Sequence, residues 1–330
     1  MPYKAISDKS DAQEMSTLNF KDVVGECSLI IAEGAVSERI RRESPFGLDP
    51  HLAHAGFVYV PDKREFLKNI YRQYIESVLP YDLPMIVFTP TWRANIERLR
   101  MAGLSYRDVN ADCFDFLSEI RKEYGEHSRR IFIGGLIGCR GNTYKPEEAL
   151  TEDNAVVFHK RQVESLSNAG VDFLFGSTLP SVTEAMGIAR AMASAGTPYI
   201  LSFVARPNGT LLDETSLHDA ISTIDALNEQ RPLGYMVNCV HPTVFQSAIS
   251  NEINASDLVR ERVLGLQANT SLRRPEELDG LEELETEEPD DFADMMVRVH
   301  LSLGSRILGG CCGTDDRHIR ALVKKLCIGN

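Results

Sequence analysis

Short apolar runs rich in β-branched and aromatic residues alternate along this chain with longer stretches whose apolar residues recur at helical spacing. The runs that predict strands are Ser28–Ala32, Met85–Thr89, Arg130–Gly134, Val171–Phe175, Tyr199–Val204, Gly234–Asn238, Val263–Ala268 and Arg306–Leu308. The stretches that predict helices are Glu65–Val78, Ala111–Tyr124, Asn154–Ala169, Val182–Ala195, Leu217–Leu227, Phe292–Leu303 and Asp316–Leu326. Strand–helix alternation repeated about eight times implies a parallel sheet with helices outside it. In 330 residues it fits an α/β fold of the (β/α)8 TIM-barrel type better than an open doubly wound sheet. No Gly-x-Gly-x-x-Gly follows the first strand, which weakens a dinucleotide-binding reading. No linker rich in Pro, Gly or Ser divides the chain, so residues 1–330 read as one barrel domain. A polar, peripheral arm is expected at about residues 1–24, and the acidic stretch Glu276–Asp291 reads as a solvated excursion before the seventh outer helix.

Composition acts mainly by exclusion. Apolar residues make up 43% and charged residues 25%, ordinary values for a soluble globular chain. The net charge of −13 repels nucleic acid and anionic membranes, so neither is an expected partner. No apolar run approaches the roughly 20 residues that span a bilayer. The start, Met1-Pro2-Tyr3-Lys4, leads into polar sequence rather than an apolar signal core. Seven scattered cysteines, an odd number, argue against a disulfide framework and for a reducing compartment. The expected location is the cytoplasm.

The cysteines add chemistry. Cys311 and Cys312 are adjacent in Leu308-Gly309-Gly310-Cys311-Cys312-Gly313-Thr314, and Cys239 stands in Asn238-Cys239-Val240-His241-Pro242. The barrel reading puts Cys239 at the end of the sixth strand and the pair just past the eighth. That is the C-terminal rim, where such barrels carry their active sites. Three thiolates leave one tetrahedral position open on a zinc ion, the mark of a catalytic rather than a structural site. A vicinal disulfide is the competing reading, and it leaves Cys239 unexplained. An anionic thiolate shell limits how far zinc withdraws electrons from a fourth, substrate sulfur. The substrate then binds as a zinc-bound thiolate that stays nucleophilic, which suits alkyl transfer better than hydrolysis. Cys27, Cys113, Cys139 and Cys327 read as packing residues.

With these residues in place, the chain resembles the homocysteine S-methyltransferase family, the zinc-dependent barrels that include betaine–homocysteine methyltransferase. The resemblance runs from about residue 28 to 327 and is most specific at Asn238-Cys239 and at Gly309–Thr314. It implies a (β/α)8 barrel, zinc on Cys239, Cys311 and Cys312, and methyl transfer to a thiol, with homocysteine giving methionine as in methionine biosynthesis. The rim residues expected to contact substrate are Glu33, Gly34, Trp92, Ser177 and Asn238, with no catalytic residue beyond the zinc site. Departures from the family fall in this shell. Glu33-Gly34-Ala35 stands where Asp-Gly-Gly is usual, and Thr89-Pro90-Thr91-Trp92 replaces a Thr-Asn-Thr-Tyr-like run. Ser177 stands where many members carry a glutamate for the substrate ammonium.

A lone tryptophan usually packs, but Trp92 is also a candidate wall for a cationic methyl donor. His241 reads as a rim histidine behind the metal ligands. S-methylmethionine, S-adenosylmethionine and betaine all fit the donor chemistry. Two alternatives stand beside homocysteine methylation: the same zinc alkyl transfer to another thiol or selenol, and a zinc-binding barrel without catalysis. Oligomeric state is not encoded in any motif.

Overall fold

The structure, a computed structural model, describes residues 19–227, 230–278 and 285–328. Eight parallel strands close into a barrel in sequence order, β8 pairing back to β1. They are β1 (Ile30–Ala32), β2 (Met85–Phe88), β3 (Ile131–Ile137), β4 (Phe173–Leu179), β5 (Tyr199–Phe203), β6 (Gly234–Val240), β7 (Val263–Ala268) and β8 (Ile307–Gly310). Helix α1 (Phe20–Glu26) precedes β1, and α2 (Ser37–Glu43) and α3 (Pro61–Val78) follow it. α4 (Ile96–Met101) and α5 (Val109–Lys122) lie between β2 and β3. α6 (Glu152–Ala169), α7 (Val182–Ala195) and α8 (Leu217–Leu227) follow β3, β4 and β5 in turn. α9 (Pro242–Ser250) and α10 (Asp257–Arg262) separate β6 from β7. α11 (Pro275–Leu278) and α12 (Pro289–Leu303) separate β7 from β8, and α13 (Asp316–Ile328) completes the last unit.

Both faces of the strands are buried, which is why they read as apolar runs rather than as alternating ones. Alternate residues still part company. Phe132, Phe173 and Phe175 fill the lumen with Ile30, Ile86, Phe88, Ile200 and Met236. Ile131, Ile133 and Leu174 face outward and pack under the helices.

The N-terminal expectation is corrected at residues 20–24. Phe20, Val23 and Val24 are buried, and the Phe20 ring stacks on Phe173 with 3.9 Å between centroids. α1 therefore plugs the end of the lumen at which the strands begin. Its apolar face is only three residues wide and is interrupted by Lys21 and Asp22, so it reads as polar sequence. Residues 1–18 of the expected arm lie outside the described residues.

Two other expectations shift. α9 was not anticipated, since nine residues opening on Pro242 and containing Thr, Val and Ser give a weak helical signal. Part of the acidic stretch, residues 279–284, lies outside the described residues. Its flanks are not simply solvated: Glu276 pairs with Arg206, Glu285 with Arg273, and Glu287 with His241 at 3.0 Å.

Candidate active site

The strands that carry the site run further than their apolar patterns suggest. β4 continues past Phe175 to Leu179 and β6 past Asn238 to Val240, each through a register shift. Within those shifts Thr178 and Cys239 take left-handed backbone conformations, φ 56° and 58°. Such φ values are rare for residues with a Cβ and persist only where the surroundings enforce them. Asn238 supplies that enforcement. Its Oδ1 accepts from the Thr178 N–H at 3.1 Å and from the Ser202 hydroxyl at 2.6 Å. Its Nδ2 donates to Thr178 Oγ1 at 2.6 Å and to Cys239 Sγ at 3.4 Å. Thr143 donates to the Thr178 carbonyl, and Asn269 donates to the Cys239 carbonyl at 3.0 Å. The Cys239 thiol is thereby aimed into the barrel mouth by a buried polar network.

The vicinal pair is fixed from β7 on one side and from the loop after β1 on the other. The Cys311 N–H donates to the Ala268 carbonyl, 2.6 Å, and the Gly310 N–H to the Glu33 carbonyl, 3.1 Å. Thr314 Oγ1 donates to the Cys311 carbonyl at 2.6 Å and accepts from the Ala35 N–H at 3.1 Å. The Gly313 N–H donates to the Glu38 carboxylate, with Gly313 at φ 84° closing the turn. Gly34 is needed for this close approach, because a Cβ there meets Thr314 Oγ1 and Tyr74 Oη at 2.8 Å. The first loop and the cysteine turn therefore form one unit.

The three thiols converge. All three Sγ atoms lie within 4.8 Å of one another, and those of Cys311 and Cys312 are 4.0 Å apart. A tetrahedral zinc with bonds of about 2.3 Å sets its sulfurs roughly 3.8 Å apart, so the cluster fits the ion with little movement. The soft donor set fits it as well. No fourth histidine, cysteine or carboxylate joins this group among the described residues. Hydrogen bonds from the Cys311 and Cys312 thiols hold Cys239 well below the usual thiol range. The same bonds push Cys311 well up and Cys312 up to about 12. The cluster is thus already poised to carry negative charge at Cys239.

A cavity of about 180 Å³ opens over the thiols, and all five candidate substrate residues line it: Glu33, Gly34, Trp92, Ser177 and Asn238. Glu33 is 5% exposed, and its Oε2 accepts from the Phe88 N–H at 3.0 Å. Burial raises its pKa well above the ordinary value, outweighing that hydrogen bond. Ser177 pairs with the Thr178 hydroxyl at 3.1 Å. Trp92 is half-buried, and the Arg93 guanidinium lies 4.4 Å from the centre of its ring. Arg93 thus stacks on the indole, and Trp92 lines the cavity. Gly138 packs against that indole, since a Cβ there meets Trp92 Nε1 at 2.5 Å.

His241 caps α9 and bonds Glu287, so it stands behind Cys239 and outside the thiol group. Among the other cysteines, Cys113 and Cys139 are buried as expected, whereas Cys327 is exposed and Cys27 half-buried. A larger cavity of about 600 Å³ lies between the segment after β5 and residues 272–275, and it contains none of the thiols. The sequence reading missed Thr178, Thr314 and Gln267, which also shape the site. Gln267 carried a signal, as the lone polar residue near the end of an apolar strand.

Fold and site together define a (β/α)8 barrel with an open three-thiol centre at its C-terminal rim. The chain belongs to the homocysteine S-methyltransferase family, whose defining pattern matches residues 30–326, and it is a methyltransferase. It is similar to the homocysteine S-methyltransferase YbgG of Bacillus subtilis, 24% identical over 317 residues, covering 89% of this chain and 93% of that protein. It is also similar to a selenocysteine Se-methyltransferase of Brassica oleracea, 24% identical, covering 54% of this chain and 50% of that one. The metallated form of the Escherichia coli homocysteine methyltransferase MmuM shares the fold. Its TM-score is 0.73 at 18% identity, covering 92% of this chain and 98% of that one. No helix among the described residues is long and apolar enough to cross a membrane.

Proposed function

We propose that this protein is a zinc-dependent S-methyltransferase that uses a thiol acceptor, homocysteine first, and yields methionine from it. The observation that carries the reading is the group of three converging thiols at the floor of a cavity. Cys239, Cys311 and Cys312 would hold the ion, and zinc there supplies the positive charge that keeps a substrate thiol ionised near neutral pH. The chain's own residues bind and orient. Glu33 faces the cavity from a buried position, where an incoming ammonium favours its ionised form and is held by it. Ser177 adds a neutral polar contact, and the Trp92 indole in the cavity lining offers a wall to a cationic methyl group. The acceptor sulfur attacks the methyl carbon of a sulfonium or quaternary ammonium donor. The new S–C bond forms as the donor's bond to methyl breaks, and its electron pair leaves with the donor as a neutral sulfide or amine. The thiol proton passes to solvent. Three reduced thiols require a reducing compartment, which supports a cytoplasmic location.

A second acceptor class, another thiol or a selenol, is supported by Ser177 and Trp92 and by the similarity to the Brassica selenocysteine enzyme. Methyl-transfer assays decide between them. The zinc-loaded protein is offered S-methylmethionine, S-adenosylmethionine or betaine with a panel of thiols and selenols. Turnover is expected with homocysteine. Turnover with a selenol alone selects the second class, and turnover with no acceptor contradicts both.

A further inference from the structure

The lumen wall turns polar near its top on three neighbouring strands, at Ser202 of β5, Asn238 of β6 and Gln267 of β7. Asn238 is in register with Gln267, and Gln267 in turn with Gly309. The amide of Asn238 is saturated by Ser202, Thr178 and Cys239. Gln267 differs. It is 8% exposed and lines the cavity beside the three cysteines. Among the described residues its side chain has no hydrogen-bond partner, and it meets the cavity rather than packed protein. Its free groups face the space a ligand would fill.

The charge of the lining narrows what that ligand carries. Glu33 and Glu38 are its acids, and no lysine or arginine lines it among the described residues. His54 is uncharged near neutrality, because burial pulls its pKa down to about 4. An α-amino acid brings an ammonium that an acid can take and a carboxylate that must rest on neutral donors. The Thr89 hydroxyl is tied to Thr91 at 2.6 Å, whereas the Gln267 amide offers two unused N–H groups.

We propose that Gln267 determines acceptor specificity by receiving the carboxylate of an α-amino-acid thiol on its side-chain amide, while Glu33 takes the ammonium. The proposal rests on the thiol-transfer reading and names the substrate class of that site.

Calorimetric binding of three thiols to the zinc-loaded protein tests it: homocysteine, 3-aminopropanethiol, which lacks the carboxylate, and 4-mercaptobutanoate, which lacks the ammonium. Gln267→Met is expected to weaken homocysteine and 4-mercaptobutanoate about tenfold or more, the range for a hydrogen bond to a charged group, and to spare 3-aminopropanethiol. Gln267→Glu, of the same size, weakens the two carboxylates further by repulsion. Zinc content and circular dichroism unchanged from wild type identify correctly folded variants. Equal losses on all three thiols, no loss on any, or a loss confined to 3-aminopropanethiol overturns the assignment. If wild type binds none of the three, the thiol-transfer reading itself fails and takes the proposal with it.

Discussion

Glu33, whose buried carboxyl we propose holds the substrate ammonium, carries a cost to the fold. Its carboxyl keeps a proton in the folded chain at pH values where the unfolded chain, near the ordinary 4.5, has released it. The folded state then binds more protons than the unfolded one, so this residue's contribution falls as pH rises above that value. Below it, both states are protonated and the penalty is absent. Glu33→Gln keeps an oxygen to accept the Phe88 N–H and removes the ionisable group. We therefore expect the metal-free Gln variant to melt a few degrees higher than wild type at pH 8, with the gap closing towards pH 4. A gap independent of pH contradicts a raised Glu33 pKa. The same variant should bind homocysteine more weakly, because the counterion for its ammonium is gone.

At the scale of elements, the site depends on strand ends and the barrel on its plug. Two of the left-handed residues, Thr178 and Cys239, sit at register shifts at the mouth of the barrel. Those shifts were not legible in the sequence, because a bulge depends on the partner strand as much as on local residues. The position of Cys239 at a strand end was legible, because the predicted strand Gly234–Asn238 stops just before it. Ser177 could be located but not interpreted. The period from Phe173 and Phe175 puts it in the lumen, yet its neighbour Thr178 is the residue Asn238 grips. The α1 plug was missed because three apolar residues in a polar stretch gain their meaning only from the open lumen they fill. Phe20→Ala should cost about 3–5 kcal/mol, the usual range for a buried phenylalanine, with zinc content at low temperature unaffected. Denaturant melts measure it, and a loss under about 1 kcal/mol contradicts the plug assignment.

For the whole molecule, the apolar packing of the barrel does not include the three rim thiols. The lumen and the shell under the helices are apolar clusters built without the cysteine turn. The thiols sit on the rim, fastened by short loops. Chelation should therefore abolish methyl transfer while leaving the far-ultraviolet circular dichroism of the barrel intact. Collapse of that spectrum on chelation makes the metal structural and contradicts an open catalytic site. The eight-unit alternation revealed this division early, because the thiol motifs fall at strand ends while the apolar pattern fills the strands. What composition and pattern left out is the acceptor, which depends on how a few polar groups share one cavity.

The central claim is that Cys239, Cys311 and Cys312 hold one metal ion with a fourth position left for substrate sulfur. Replacing the ion with cobalt and titrating homocysteine tests it most directly. Sulfur-to-cobalt charge-transfer absorption should rise in proportion to added thiol and saturate at one equivalent per protein, and Cys239→Ala and Cys312→Ala should bind cobalt poorly. A cobalt spectrum unmoved by thiol, or full metal occupancy in both alanine variants, would contradict the account.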